Sequence, residues 1–200
     1  ISSSTNRILK SVHIEQEWSQ AADFTIDGDS TLAALSLEGY TATISVGYND
    51  ASAGDEYSAC APLEVVAMAS DTILDRRQGV LVVGFTAAGV FDLMEADKAS
   101  AAYTQLSTDT NTVKTLLTAI ANATLTPFTH CKNYTITYDS EDSLIDTYIP
   151  ADDFQVSFNE SRLSAFKKLL SKTNCKAIIK ADGAIHVSNP TVSGTTYAYE

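Results

Sequence analysis

From Thr41 to Tyr48 the chain alternates, with Ala42, Ile44, Val46 and Tyr48 apolar and Thr41, Thr43, Ser45 and Gly47 small or polar. A period of two predicts a strand with one apolar face. Ile8–Glu15 and Phe24–Ile26 read the same way, with Asp27-Gly28-Asp29 as a turn. Val65 to Leu74 and Gly79 to Phe85 are further strand runs, separated by the polar turn Asp75-Arg76-Arg77-Gln78-Gly79. In the second of these runs Leu81, Val83 and Phe85 interleave with Val80, Val82 and Gly84. Both faces of that strand should therefore be covered. Asn49 through Glu56 is polar and reads as a loop. Strands at this spacing predict a small antiparallel barrel or sandwich over residues 1–89.

The pattern changes after Gly89. Phe91, Leu93 and Met94 suggest a short helix, and Val113, Leu116, Leu117 and Ile120 make one helical stripe behind the cap candidates Thr110, Asn111 and Thr112. Residues 90–130 thus form a helical connecting segment. Alternation returns at Tyr134, Ile136 and Tyr138, and again at Phe154, Val156 and Phe158. Asn159 or Ser161 then caps a helix with the stripe Leu163, Phe166, Leu169 and Leu170. Strands at Cys175–Lys180 and Ala184–Ser188 flank the hairpin signal Asp182-Gly183. The fold class that follows is α+β and β-rich: a small antiparallel β-barrel, a helical segment, then a β-α-β-hairpin unit over 131–200. The chain opens on Ile1 and stops in what reads as an interrupted strand, so we expect a piece of a longer protein, with a second barrel begun and cut short.

Charge adds a lopsided picture. Net charge is -12, with 5 basic and 15 acidic side chains in residues 1–100 against 8 and 10 in residues 101–200. Such a field disfavours sequence-specific nucleic-acid binding. It suits the wall of a passage along which DNA slides without sticking. The longest apolar run, Gly79 to Phe91, is too short to span a bilayer as a helix.

Candidate chemistry is sparse. No nucleophile elbow, zinc-protease helix or phosphate-binding glycine loop occurs, so no catalytic residue, metal ligand or cofactor is assigned and the chain reads as a non-enzyme. Cys60, Cys131 and Cys175 are odd in number and widely spaced, which suits small buried hydrophobes, with one disulfide between two of them left open. His130 and Cys131, as neighbours on a strand, would point to opposite faces. Asp139, Glu141, Asp142 and Asp146 crowd one loop, with Asp152 and Asp153 behind them. A solvated loop is the plain reading, a docking or passage-facing loop the functional one, and a carboxylate pair working on a glycan a third. Arg162, Lys167, Lys168 and Lys172, with Lys176 and Lys180, fall in a stretch from Ser161 to Ala181 that holds no acid. They suit a solvated face or a basic inter-subunit face meeting the acidic half of a neighbouring copy.

The order of elements resembles the baseplate-hub, or tail-hub, proteins of tailed bacteriophages, whose fold is shared with the base of contractile injection-system spikes. Leu37-Glu38-Gly39-Tyr40 leading into Thr41–Gly47 resembles the entry to the first hub barrel, and Gly79–Thr86 the strand that closes it. Thr112–Ile120 looks like the helix that follows, and Ser161–Thr173 with the Asp182-Gly183 hairpin like the unit before the second barrel. The resemblance implies a structural part of the virion tail. Such a part forms a trimeric ring of self-copies, joins the tail tube to a spike or fibre, and lines the path of DNA ejection. The alternatives kept open are a β-rich recognition or adhesion module that binds carbohydrate or a cell surface, in an extracellular setting, and a carboxylate-dependent glycoside hydrolase.

Overall fold

The computed structural model describes residues 8–27, 34–50, 52, 54–75 and 78–190. The turns expected at Gly28-Asp29 and Arg76-Arg77, and the interrupted strand read at residues 195–200, lie outside the described residues. The chain divides into two compact units, Ile1–Leu93 with Lys180–Gly183, and Met94–Ile179 with Ala184–Glu200.

The first unit is built on a five-stranded antiparallel sheet that curls into half a barrel. It comprises β1 (Ile8–Gln16), β2 (Ser19–Asp27), β3 (Thr41–Ala42), β6 (Leu63–Asp75) and β7 (Gln78–Ala88), in the order β1-β2-β7-β6-β3. Among the described residues the sheet is open, with β1 and β3 as its edges. Its concave face carries Ala22, Ile26, Leu63, Val65, Val83, Phe85 and Ala87, with Phe24, Ala42 and Met68 packed against them. Alternation produces this face directly, except in β6. There a bulge leaves Val66 unpaired between the pairs Val65↔Ala87 and Ala67↔Thr86, so inward positions pass from odd numbers (Leu63, Val65) to an even one (Met68). Val82 and Val83 point to opposite faces of β7 and are both buried, as their uninterrupted apolar run leads one to expect.

Two expectations about residues 41–56 need correction. The polar stretch from Asn49 is no loop: β4 (Ser45–Asp50) and β5 (Gly54–Ala59) pair from Ser45↔Ala59 out to Asp50↔Gly54 in a separate two-stranded sheet. Gly54, at φ +85, supplies the left-handed backbone that closes this tight hairpin. The apolar alternation from Ala42 to Tyr48 is covered only at its start, since Ala42 and Ile44 are half-buried while Val46 and Tyr48 are exposed.

A helix, α1 (Val90–Ala96), straddles the division between the units. At its start, the Asp92 carboxylate accepts from Ser19 Oγ (2.8 Å) and from the Gln20 amide (2.7 Å), and Trp18 packs on Phe91 at 5.0 Å between ring centres. Gly89 is required just before it, because a Cβ there would lie 2.7 Å from Gln20 Cβ and 3.0 Å from the Gln20 carbonyl.

The second unit packs α2 (Val113–Ala121) against α4 (Arg162–Leu170). Both helices begin as the sequence predicts, with the Thr112 and Ser161 hydroxyls accepting from the amides of Thr115 and Ser164. Their stripes, Val113, Leu116, Leu117, Ile120 and Leu163, Phe166, Leu169, Leu170, are buried throughout. Beside them lie a short helix α3 (Leu144–Thr147), the two-residue pair β8 (Tyr103–Thr104) and β10 (Gln155–Val156), and a three-stranded sheet. That sheet has the order β11-β12-β9, from β9 (Ile136–Ser140), β11 (Lys176–Ile179) and β12 (Ile185–Ser188), with β12 parallel to β9. The strand expected through Phe158 ends at Val156. Asn159 takes a left-handed φ of 64 and Glu160 Oε2 accepts from the Ser157 amide, so the chain turns into α4 and leaves Phe158 exposed. Among the described residues no helix is long and apolar enough to cross a membrane.

Candidate functional site

The geometry takes Arg162 out of the expected basic face. Arg162 is wholly buried, and all its donors point inward. Nε and Nη2 donate to the Ile120 carbonyl (2.9 and 2.7 Å), Nη2 to Ala121 O (2.7 Å), and Nη1 to Lys132 O (2.7 Å) and Asp97 Oδ2 (2.9 Å). The guanidinium also lies over the Tyr134 ring, 5.0 Å from its centre. Ile120 and Ala121 are the last residues of α2, so Arg162 answers the carbonyls and the negative dipole end of a neighbouring helix. Lys168 and Lys172 are nearer solvent, yet Lys168 pairs with Glu160 (2.7 Å) and Lys172 with Asp153. Lys167 is half-buried. The run is free of acid from Ser161 to Ala181 in sequence, but in space the carboxylates come from just outside it.

The acidic loop is likewise committed, its four members divided among three sets of partners. Asp139 contacts His186 Nδ1 at 2.9 Å; Glu141 and Asp146 share Lys114 at 2.6 and 3.0 Å; Asp142 accepts from the Leu144 amide and Asn174 Nδ2. The Lys114 ammonium, helped by the residue's own backbone amide, holds the Glu141 carboxyl below the usual range against a smaller effect of burial. Leu144's amide and Asn174 do the same for Asp142. Burial alone would push Glu160 up, but Lys168, the Ser157 amide and the Ser164 hydroxyl together hold it below the carboxylate range. Glu141, Asp142 and Glu160 are thus held in their charged form by their partners, the reverse of the raised acid that paired-carboxylate chemistry needs. A shallow hollow of about 380 Å³ is lined by Lys114, Thr115, Thr118, Ala119 and Thr124, and by none of the expected acids.

Cys131 and His130 depart from expectation too. They sit in a turn, not a strand, and Sγ lies 3.6 Å from the neighbouring Nε2. Burial pushes the Cys131 thiol up, with Asp97 adding to it against Arg162, so the thiolate needed of a nucleophile is disfavoured. Cys175 is buried as predicted, Cys60 and Cys131 are half-buried, and all three are free.

Two features escaped sequence reasoning, both in the first unit. The β4–β5 hairpin presents Val46, Tyr48 and Tyr57 to solvent at 60%, 63% and 70% exposure. Tyr57 lies across Gly47, where any Cβ would collide with its ring and with the Glu56 carbonyl, while Tyr48 donates to Glu56 Oε2 at 2.6 Å. Pairing places Val46 and Tyr48 on one face and Tyr57 on the other, so the hairpin is apolar on both sides. The second feature is a meeting of His13, Glu15 and Cys60, whose ligand atoms all lie within 4.8 Å of one another. His13 and Glu15 share a strand face by their spacing of two. Cys60, 45 positions beyond Glu15 in the sequence, carried no signal of joining them.

No family model and no curated protein matches the chain. Solved structures do. The crystal structure of the tail protein from Neisseria meningitidis MC58 aligns over 95% of this chain and 47% of its own, with a TM-score of 0.54 and 12% identity. The 43 kDa tail protein of prophage MuSo2 from Shewanella oneidensis aligns over 92% of this chain and 50% of its own, at a TM-score of 0.49 and 11% identity. The chain thus spans about half the length of the solved structures it matches, and it shares its fold with the Neisseria tail protein.

Proposed function

We propose that the chain is a structural component of a bacteriophage tail, at the baseplate or tail-tip hub, where copies of it form a trimeric ring between tail tube and spike or fibre. The fold held in common with a tail protein over 95% of the chain supports this reading. The observation that carries it furthest is the β4–β5 hairpin. Two strands alone are marginal in water, and this pair spends Val46, Tyr48 and Tyr57 on solvent. Such an arm gains most by docking on another protein, and it takes over the contact role first expected of Arg162, Lys167, Lys168 and Lys172. The outer edge of the sheet contributes a second apolar row, since Val12 and Ile14 of β1 are 43% and 45% exposed. The surplus of acid in residues 1–100 suits a passage wall that repels DNA.

Mass in solution, by light scattering behind size exclusion, tests the proposal together with electron microscopy of the particles. The expected result is a three-copy ring with a central hole, lost to monomer in a Val46→Ser/Tyr48→Ser/Tyr57→Ser variant that keeps its dichroism. A wild-type chain that stays monomeric at high concentration, or a variant that assembles as before, overturns it.

A further inference from the structure

β1 is turned inside out. Its apolar residues Val12 and Ile14 face solvent, while His13 and Glu15 lie on the face that leads into the core. The register settles this. His13 stands opposite Ala22 and Glu15 opposite Gln20, and residues opposed in an antiparallel pair share a face. Ala22 is 2% exposed and packs with Leu63 and Ala87, and Gln20 is 5% exposed. An imidazole and a carboxylate are therefore aimed along the concave side of the curled sheet, where polar groups cost free energy unless they are answered.

Glu15's partner there is weak. Gln20 Nε2 donates to Glu15 Oε1 at 3.3 Å, and Gln20 Oε1 is a buried acceptor that finds no donor among the described residues. Cys60 reaches the same place from the segment between β5 and β6, held by its amide on the Ile44 carbonyl (2.8 Å). In a flat sheet β1 and β6 would lie about 14 Å apart, three strand spacings. Here the curl brings the Cys60 sulfur to within 4.8 Å of the His13 and Glu15 ligand atoms.

We propose that His13, Glu15 and Cys60 form a site for a borderline-soft divalent metal ion, Zn(II) in type, that clasps edge strand β1 to the segment entering β6. The donor set selects the ion. Thiolate and imidazole disfavour Mg(II) and Ca(II), which take oxygen, and one each of S, N and O suits tetrahedral Zn(II). Ligand atoms around such an ion lie about 3.5 Å apart, so side-chain rotation alone brings this trio into place. His13 and Cys60 are half-buried and Glu15 is exposed, which leaves the ion a path in. Three protein ligands leave a fourth position for water, and a metal-bound water is the donor that Gln20 Oε1 lacks.

Co(II) titration of the whole chain under thiol-free reducing conditions tests this. One equivalent should bind with a thiolate-to-cobalt charge-transfer band and the strong visible bands of a tetrahedral site. Zn(II) should displace it and raise the melting temperature. Cys60→Ser should abolish the charge-transfer band, and His13→Gln and Glu15→Gln should each weaken binding at least tenfold. A Cys131→Ser/Cys175→Ser double variant should titrate like wild type. Failure to bind one equivalent, a band that survives Cys60→Ser, or an equal rise in melting temperature with Zn(II) in wild type and Cys60→Ser overturns the assignment. If Cys60→Ser fails to fold, loss of the tetrahedral bands in folded His13→Gln decides the matter the same way, and their persistence there overturns it.

Discussion

Exchange of Arg162 for methionine or lysine separates the charge of this side chain from its shape. The buried guanidinium makes five hydrogen bonds to four residues, Ile120, Ala121, Lys132 and Asp97. Two of the acceptors keep another donor after its removal, because Ile120 O also accepts from the Ala123 amide and Ala121 O from the Tyr134 amide. Asp97 is about a quarter exposed and can turn to water. The loss is therefore closer to the net worth of each bond than to four full desolvation penalties. At about 1 kcal/mol for each of the four acceptors that loses a bond, methionine, which fills the volume, costs about 4 kcal/mol. Lysine keeps the charge but has no planar fork and cannot span acceptors on two sides, so it costs about 2 kcal/mol. Urea unfolding followed by helical dichroism measures both. Arg162→Lys within about 0.5 kcal/mol of wild type, the range of a surface substitution, would refute the account.

Two further outcomes follow from the same structure. Burial pushes the Tyr138 hydroxyl up to about 12, against the lowering effects of Thr118 and Lys114, and its oxygen is hydrogen-bonded with Thr118 Oγ1 and donates to Lys114 O. A raised pKa gives stability that is whole below the unfolded value near 10 and fades as pH climbs through 12. On the order of 2 kcal/mol should therefore disappear over that window in wild type and not in Tyr138→Phe, as read by urea midpoints at stepped pH. Gly47→Ala places a methyl group against the Tyr57 ring and the Glu56 backbone, so it should displace Tyr57 and cost about 1 to 3 kcal/mol of hairpin stability. Amide exchange across Ser45–Ala59 reads this directly, and unchanged protection there would count against the packing described.

Periodicity made the elements legible and left their partners hidden. The stripe of α2 and the caps Thr112 and Ser161 could be read because each depends on residues within one or two turns. The ends of the Phe154–Phe158 alternation could not, since β10 stops where its two-residue partner β8 stops. Alternation from Ala42 to Tyr48 predicted one strand where the structure has two, β3 and β4, in separate sheets, and it could not say that the apolar face beyond Ile44 lacks cover, because pairing and cover are properties of other segments. Charge was misread for the same reason. A lysine or arginine run looks free in a linear string, whereas Glu160, Asp153 and four acceptors around Arg162 come from elsewhere. Cys60 is the clearest case, since its neighbours in sequence say nothing of His13.

In the second unit, the strand at the middle of the sheet is the last to leave the ribosome. β9 and β11 both hydrogen-bond to β12, and not to each other. Until Ile185–Ser188 has been synthesised, β9 waits with both backbone edges bare, some forty-five residues ahead of its mate. A nascent chain or proteolytic product ending short of Ile185 should therefore behave as two sticky ribbons with no seam to join them, prone to pair with whatever strand is nearest.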